Sequence, residues 1–295
     1  MTDKTTTFLE YKALLFSIAY NMLGNVDAAE DIVQDTFLKW METDTIDVRH
    51  TKGYLVKMVT NKSINYLHSA RQRREQYVGL WLPEPLLNYE NPKIESYHAL
   101  SIGLLILLEK LTPQERAIFL LKEVFSYDYY ELAEMFEKSE DNCRQILKRA
   151  KDNLGKDTRR FEVDLKVHEK ILHKFLQAIS EGSMEELIHT LKEDIVLFAD
   201  GGGRMFATSN QRLAAPPKPI HGRENVSKLL LTSVSKLDYI NSLEREIIVA
   251  NGLPSIISYS GGVPFSLISF ELEGDQIRNI YLQINPDKLK HFKKT

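Results

Sequence analysis

The segment Leu111–Leu154, LTPQERAIFLLKEVFSYDYYELAEMFEKSEDNCRQILKRAKDNL, leaves little freedom of fold. It predicts three short helices, the last two arranged as a helix-turn-helix. Thr112 can cap the first, Pro113 suits its first position, and Glu115 can reach back as in a capping box. The second helix is predicted over Tyr129–Phe136, with Leu132, Ala133 and Phe136 on one face. After a polar turn, Ser139 is a natural cap for the third. There Cys143, Ile146, Leu147, Ala150 and Leu154 recur at helical spacing and predict a buried stripe. Asn142, Arg144, Gln145, Lys148, Arg149 and Lys151 are left facing out. Arginine can read guanine in a major groove, and Gln or Asn can read adenine. Lys148, Arg149 and Lys151 are placed to neutralise phosphates. The same pattern also fits a solvated basic face on an ordinary bundle, and the segment alone leaves both open.

The rest of the chain narrows the choice. Its 38 Lys and Arg stand against 41 Asp and Glu, for a net charge of −3. A protein holding duplex DNA by charge alone is usually basic. Here the charge is local: acids gather at Asp27–Asp35, bases at Arg71–Arg74 and Arg144–Arg160. That distribution predicts different partners for different segments. The single cysteine, Cys143, excludes a disulfide within the chain and a cysteine-based zinc site. No metal, no cofactor and no enzymatic activity are expected. Glu10 and Lys12 interrupt the first apolar run, so no secretory signal is expected. No stretch approaches the ~18 apolar residues of a spanning helix. A soluble cytoplasmic protein without a membrane role is the simple expectation.

Helices are predicted over Phe8–Gly24, Asp27–Met41 and Thr51–Gln76. The first has an apolar stripe through Leu14, Leu15, Ile18, Ala19 and Met22, and Gly24 ends it. The second turns Ile32, Val33, Phe37 and Trp40 inward. Asp27, Glu30, Asp31, Gln34 and Asp35 share its other face. The third takes its core from Val56, Val59, Ile64 and Leu67. The prolines of Tyr77–Pro92 predict an extended linker whose aromatic residues dock it. A helix over Lys93–Glu109 leads into the helix-turn-helix. Beyond Leu154, helices are predicted over Phe161–Ser180, Ser183–Leu191 and Arg223–Val234. Strands are predicted over Asp194–Ala199, Ser242–Ala250, Ser255–Ser260, Phe265–Leu272 and Ile277–Ile284, with a hairpin turn at Gly274–Asp275. Helices followed by several antiparallel strands make an α+β domain.

Several short motifs, in order, carry a resemblance. Leu15–Gly24 (LFSIAYNMLG), Ala28–Trp40 (AAEDIVQDTFLKW), Gly53–Leu67 (GYLVKMVTNKSINYL) and Leu111–Leu154 resemble an extracytoplasmic-function sigma factor of the sigma-70 family. Ala70–Leu86 (ARQRREQYVGLWLPEPL), Asp200–Arg204 (DGGGR) and Asn285–Leu289 (NPDKL) are similar to its sigma-J type group, which carries a fused C-terminal SnoaL-like domain. Tyr54 stands where many relatives have Trp, and Asn65 where Asp is common.

The resemblance implies a multidomain chain. Residues 1–76 would be a helical region 2 domain, 77–92 a linker and 93–160 a helical region 4 domain. Residues 161–295 would be an α+β SnoaL-like cone. Implied partners are core RNA polymerase and promoter DNA, with room for a small-molecule ligand in the C-terminal pocket, and a monomer is expected when the chain is free. Asp27, Glu30, Asp31, Gln34 and Asp35 would dock on a helical element of the polymerase. Tyr54, Lys57, Asn61, Lys62, Arg71, Arg73 and Arg74 would melt and hold the −10 element as a single strand, where aromatics stack on bases and cations track the backbone. The loop Glu42–His50 would capture a flipped base. Asn142, Arg144, Gln145, Lys148 and Arg149 would read the −35 duplex. Trp81, Pro83, Asp200, Gly201, Gly202, Gly203, Arg204, Asn285, Pro286 and Asp287 would regulate between domains, the glycine loop by contacting the N-terminal sigma domain. Asn285–Leu289 is expected to end the last strand and start a tail, with Pro286 stopping the ladder. Asp200 and His221 are the only acid–base candidates of the cone, and a tight glycine loop explains Asp200 better. An alternative reading is a free-standing helix-turn-helix regulator with a small-molecule-binding domain, which leaves Asp27–Arg74 unexplained.

Overall fold

The computed structural model describes residues 4–44, 48, 50–74, 77, 79–87, 100–155, 165–203, 205–207, 212–236 and 243–293. It divides into two units. One comprises residues 1–75, 88–100 and 104–158, the other residues 76–87, 101–103 and 159–295. Apart from residues 101–103, the described residues of both helical modules lie in the first unit, and the described linker residues belong to the second.

In the first unit, α1 (Lys4–Leu23), α2 (Val26–Glu42) and α3 (Thr51–Arg74) pack around one core. Leu14, Leu15, Ile18, Ala19 and Met22 are buried as their spacing predicts, as are Ile32, Val33, Trp40, Val56, Val59 and Leu67. Leu55 joins them, while Ile64 is only half-buried. Gly24, at φ +64°, ends α1 and donates to the Tyr20 carbonyl at 2.7 Å. Asn25 caps α2 by accepting from the Ala28 amide at 2.8 Å. Trp40 Nε1 donates to the Lys4 carbonyl at 3.0 Å, tying the two ends of the α1–α2 pair.

The second module contains α4 (Ile102–Leu108), α5 (Pro113–Phe119), a π-turn over Leu120–Val124, α6 (Tyr129–Phe136) and α7 (Glu140–Leu154). Of the helix predicted over Lys93–Glu109, residues 93–99 lie outside the described residues. Thr112 and Glu115 form the predicted capping box. Asp128 and Glu131 form a second one on α6, and Ser139 accepts from Asn142 N at the start of α7. All five apolar stripe residues of α7 are buried. Arg116 is buried at 4% exposure. It donates to the Leu108 carbonyl through Nε and Nη2 at 3.0 and 2.8 Å, and through Nη1 to the Met22 carbonyl at 2.7 Å. One guanidinium thus satisfies carbonyls at the C-terminal ends of α4 and α1, where helices leave acceptors unpaired.

The second unit is α+β. Helices α8 (Leu165–Glu181), α9 (Met184–Thr190) and α10 (Arg223–Lys236) accompany a six-stranded sheet. Its strands are β1 (Leu191–Asp200), β4 (Ile220–His221), β5 (Glu244–Ala250), β6 (Leu253–Ser260), β7 (Val263–Glu273) and β8 (Gln276–Gln283), in the order β4-β1-β8-β7-β6-β5. A separate ribbon pairs β2 (Met205–Ala207) with β3 (Arg212–Ala214). The β7–β8 hairpin turns at Gly274–Asp275 as predicted. The expected antiparallel strands are β5 to β8, and beside them β1 and β8 are parallel, Leu197 opposite Ile280. Parallel neighbours need a long crossover, and the chain between these two strands supplies it.

Side chains alternate across each strand. Ile256 and Phe270 join Ile171, Leu172, Phe175 and Leu197 in the core under the helices. Ile257 and Leu267 point to the opposite face, where they pack with Leu289, Phe292 and Leu87. Burying these residues from both ends of the unit's sequence is strongly favourable, at about 1.5–3 kcal/mol for each fully buried Leu, Ile or Phe side chain. The segment after β8 is therefore not a frayed tail. Asn285 caps α11 (Pro286–Leu289), Pro286 occupies a first-turn position, and a 3₁₀ turn over Lys290–Phe292 buries Phe292. Proline ends a strand ladder but also suits the start of a helix, and here it does both.

Candidate functional site

The face of α2 is built as its spacing predicts. Asp27, Glu30, Asp31, Gln34 and Asp35 are all exposed, and Leu38 continues the stripe at 55% exposure. The face thus offers an apolar residue beside acids, a combination that a partner helix could bury and pair.

On α3, Asn61 is exposed, and Tyr54, Lys57 and Lys62 are half-buried. Tyr54 packs at 6.1 Å from the Trp40 ring and its hydroxyl sits 3.4 Å from Thr43 Oγ1. Lys57 pairs with Glu137 Oε1 at 2.8 Å, and Lys62 with Asp35 Oδ2 at 3.4 Å. That second pair joins the candidate −10 set to the candidate polymerase set. The backbone of Arg71, Arg73 and Arg74 continues α3, but their side chains lie outside the described residues, as do residues 45–47 and 49 of the loop before α3.

On α7, Asn142, Arg144, Gln145, Lys148 and Arg149 form one exposed face. Arg144 is already engaged, with Nη2 at 2.7 Å from Glu140 Oε2 and Nη1 at 2.9 Å from Asp141 Oδ1. Glu137, which ends α6, sits in the left-handed region at φ +53°. Its neighbour Lys138 donates to the Ala133 carbonyl at 3.0 Å, so the turn into α7 is fixed without a glycine.

Part of the candidate regulatory set gathers around one carboxylate. Asp200 is fully buried at the end of β1. Its Oδ1 accepts from the Tyr77 hydroxyl at 2.5 Å and from Gly202 N at 3.0 Å. Its Oδ2 accepts from Leu82 N at 2.8 Å and from Lys288 Nζ at 2.6 Å. Lys288, on α11, also donates to the Leu82 carbonyl at 2.6 Å, with its ammonium 4.5 Å from the Trp81 ring and 5.1 Å from that of Tyr77. Burial and then Asp200 push the Tyr77 phenol well above its ordinary range, so it stays a donor. Such a buried pair holds only when every lone pair and proton is satisfied, and these contacts come close to that.

The glycine loop serves the same clasp. Gly202 has φ +61°, and a Cβ there would lie 2.6 Å from Asn285 Nδ2. The surface this loop approaches is the Asn285 side chain, which in turn donates to the Tyr77 hydroxyl at 3.0 Å. Asp287 is exposed, with its amide donating to Asn285 Oδ1 at 3.1 Å. Pro83 is buried, Gly201 is buried beside Asp200, Gly203 is exposed, and Arg204 lies outside the described residues. Leu86 and Asn251 exchange two hydrogen bonds of 2.9 Å, and Leu87 bridges to Ala250, so the strap 79–87 ends against β5. Buried Glu84 of the strap faces His291 Nε2 at 3.3 Å. Residue patterns had not singled out Tyr77, Leu82 or Glu84. The resemblance named the motif around Lys288, but burial of its charge is visible only in three dimensions. The acid–base alternative for Asp200 loses ground here, because its carboxylate is occupied by four donors. His221 is exposed and lines an open groove of about 520 Å³ with Asn225, Lys228 and Thr232.

Among the described residues, no cluster of His, Cys, Asp and Glu suits a metal ion, and no helix is long and apolar enough to cross a membrane.

Comparison with known proteins places both helical modules in known families. Residues 7–74 match the family model described as Sigma-70 region 2, and residues 104–154 that described as Sigma-70, region 4. The chain is 27% identical over 264 residues to the ECF RNA polymerase sigma factor SigJ of Mycobacterium tuberculosis H37Rv, covering 86% of this chain and 81% of that protein. It is 22% identical over 284 residues to the probable ECF RNA polymerase sigma factor SigI of M. tuberculosis CDC 1551, covering 95% and 92%. The crystal structure of the M. tuberculosis SigJ protein shares the fold over 97% of this chain and 98% of that one, with a TM-score of 0.76 at 22% identity. With both sigma-70 regions in order and an alignment that runs on through the sheet unit, the chain belongs to the extracytoplasmic-function sigma factors of the sigma-70 family.

Proposed function

We propose that this chain brings RNA polymerase to a specific set of promoters and that its sheet unit governs when it does so. In this reading residues 1–76 bind core polymerase through the α2 face and open the −10 element along α3. Residues 93–160 hold the −35 duplex through α7, and residues 161–295 regulate. The carrying observation is the division of polar chemistry among three helices. Acids and Leu38 stand out from α2, amides and cations from α3 and α7, and each helix buries its apolar side. Near-neutral net charge fits a protein that meets DNA in company of a larger partner.

Regulation in cis is supported by the clasp. A strap just beyond region 2 is held in the sheet unit by Asp200, Lys288 and Asn251. Its freedom therefore depends on that unit. Asp200, one of the sheet unit's two candidate acid–base groups, is bound into the clasp, which supports a regulatory part for that unit. The test is run-off transcription from the chain's own upstream DNA with core polymerase. A transcript that needs this protein is expected, with its yield altered by Lys288→Met. A transcript of equal yield with and without the protein would refute the promoter reading. Equal yield from the wild type and the Lys288→Met variant would refute regulation through the clasp.

A further inference from the structure

Arg144 is held in place before any DNA arrives. Besides its ion pairs to Glu140 and Asp141, its guanidinium carbon lies 4.6 Å from the centroid of the Tyr129 ring. Tyr129 is the first residue of α6, and the Asp128–Glu131 capping box fixes that helix end. Lys122 Nζ lies 4.7 Å from the same ring and also donates to the Tyr127 carbonyl at 3.0 Å. A guanidinium has five N–H donors. Two are used by the carboxylates, which leaves three for a ligand. The ion pairs set the direction of the fork and the ring sets its plane, because arginine stacks on aromatic faces.

Two consequences follow for what the fork can take. A long side chain held in one geometry loses less freedom on binding, so its contact is stronger and more selective. Two carboxylates beside the guanidinium repel a phosphate, whose charge they share. A neutral base edge with paired acceptors has no such penalty, and guanine O6 and N7 offer that edge in the major groove. The N-terminal residues of a recognition helix are the ones that reach base edges, and Glu140, Asp141 and Arg144 stand in the first turns of α7.

We propose that Tyr129 is a positioning residue for promoter reading: with Glu140 and Asp141 it orients the Arg144 guanidinium to read one guanine of the −35 duplex and keeps it from serving as a phosphate contact. This rests on the reading that α7 enters that duplex.

The experiment uses the full chain bound to core polymerase, with competition between promoters changed one base pair at a time in the −35 element. Arg144→Ala should abolish the preference for guanine at one position. Tyr129→Leu should weaken that same preference about 3- to 10-fold, the scale of a lost cation–π contact and the order it brings. Tyr129→Phe keeps the aromatic face and should retain it. The slope of affinity against salt should be unchanged by Tyr129→Leu, since no phosphate contact is lost. The double variant Glu140→Gln, Asp141→Asn leaves α6 untouched, so it tests the same idea if Tyr129→Leu fails to fold. It should strengthen binding to all promoters and flatten the guanine preference. An undiminished preference in both the Tyr129→Leu and the double variant, with Arg144→Ala still abolishing it, would overturn positioning while base reading stands. If Arg144→Ala weakens every promoter equally, Arg144 is a phosphate contact and the proposal falls. No promoter binding by the wild-type complex would refute the wider reading of α7.

Discussion

Arg144 and Lys288 are both cations that meet carboxylates within 3 Å, and they serve opposite ends. Arg144 pairs across an exposed helix turn. Exposed pairs contribute little to stability and are screened by salt, so the guanidinium can turn its remaining donors to a new partner. Lys288 pairs with a carboxylate sealed from water. Its attraction to Asp200 offsets a desolvation cost that returns in full if either partner is removed. On the proposed reading, burial, and not residue type, separates a reader from a latch. The same contrast divides the chain: its first unit displays charge on helix faces, and its second uses charge to hold a strap.

The contrast can be broken at four points. The largest effect is expected for Lys288→Met, which leaves Asp200 charged and buried without its cation. A loss of about 3–5 kcal/mol is expected for strap docking, read as faster hydrogen exchange at the Leu82 and Leu86 amides. Exchange as slow as in the wild type would mean that the clasp does not hold the strap. Next, Arg144→Ala should weaken binding to the cognate promoter roughly 5- to 100-fold and relax one base preference. Lys148→Ala should instead weaken all promoters alike and reduce the salt slope by about one. If the two variants behave alike, α7 does not divide reading from gripping.

Gly202→Ala should cost about 1–3 kcal/mol, because its backbone is left-handed and the new methyl meets Asn285. The same amide exchange reports it, and a neutral result would mean that the Asn285 side chain yields. The smallest effect concerns pH. His168 is buried against Phe270 without a well-formed hydrogen bond from either ring nitrogen. Burial pushes its imidazole down, opposed by the Pro254 carbonyl. The unfolded chain therefore takes up this proton first as pH falls below about 6.5, the ordinary histidine value. This contribution to the sheet unit's stability is full above that pH and is lost below it, no more steeply than ~1.4 kcal/mol per pH unit. His168→Phe should flatten the slope of denaturant midpoint against pH between 5 and 7, and an unchanged slope would assign the pH dependence to other groups.

Legibility in the sequence follows the range of the interactions involved. The helix-turn-helix was readable nearly to the residue, because Thr112, Glu115 and Ser139 act within one turn and the α7 stripe repeats locally. The α2 face was readable for the same reason. Parallel pairing of β1 with β8 was not, since Leu197 and Ile280 meet only through a long crossover. Pro286 was read only in part, because one rule ends strands at proline and another starts helices there. Only the Asn285 cap and the burial of Leu289 and Phe292 decide between them. Burial of Arg116 has no local signal in the sequence, because its carbonyl partners Met22 and Leu108 come from two other helices. Motif resemblance pointed to the two ends of the clasp. That they close on the strap through one buried carboxylate is tertiary information.

Direct binding of the full chain to core RNA polymerase tests the central claim. The wild type should bind, and reversing charge on the α2 face with Asp31→Lys and Asp35→Lys should abolish binding while the thermal unfolding of the chain is retained. A wild-type chain with no affinity for the polymerase, or a reversed face that binds as well as the native one, would contradict it.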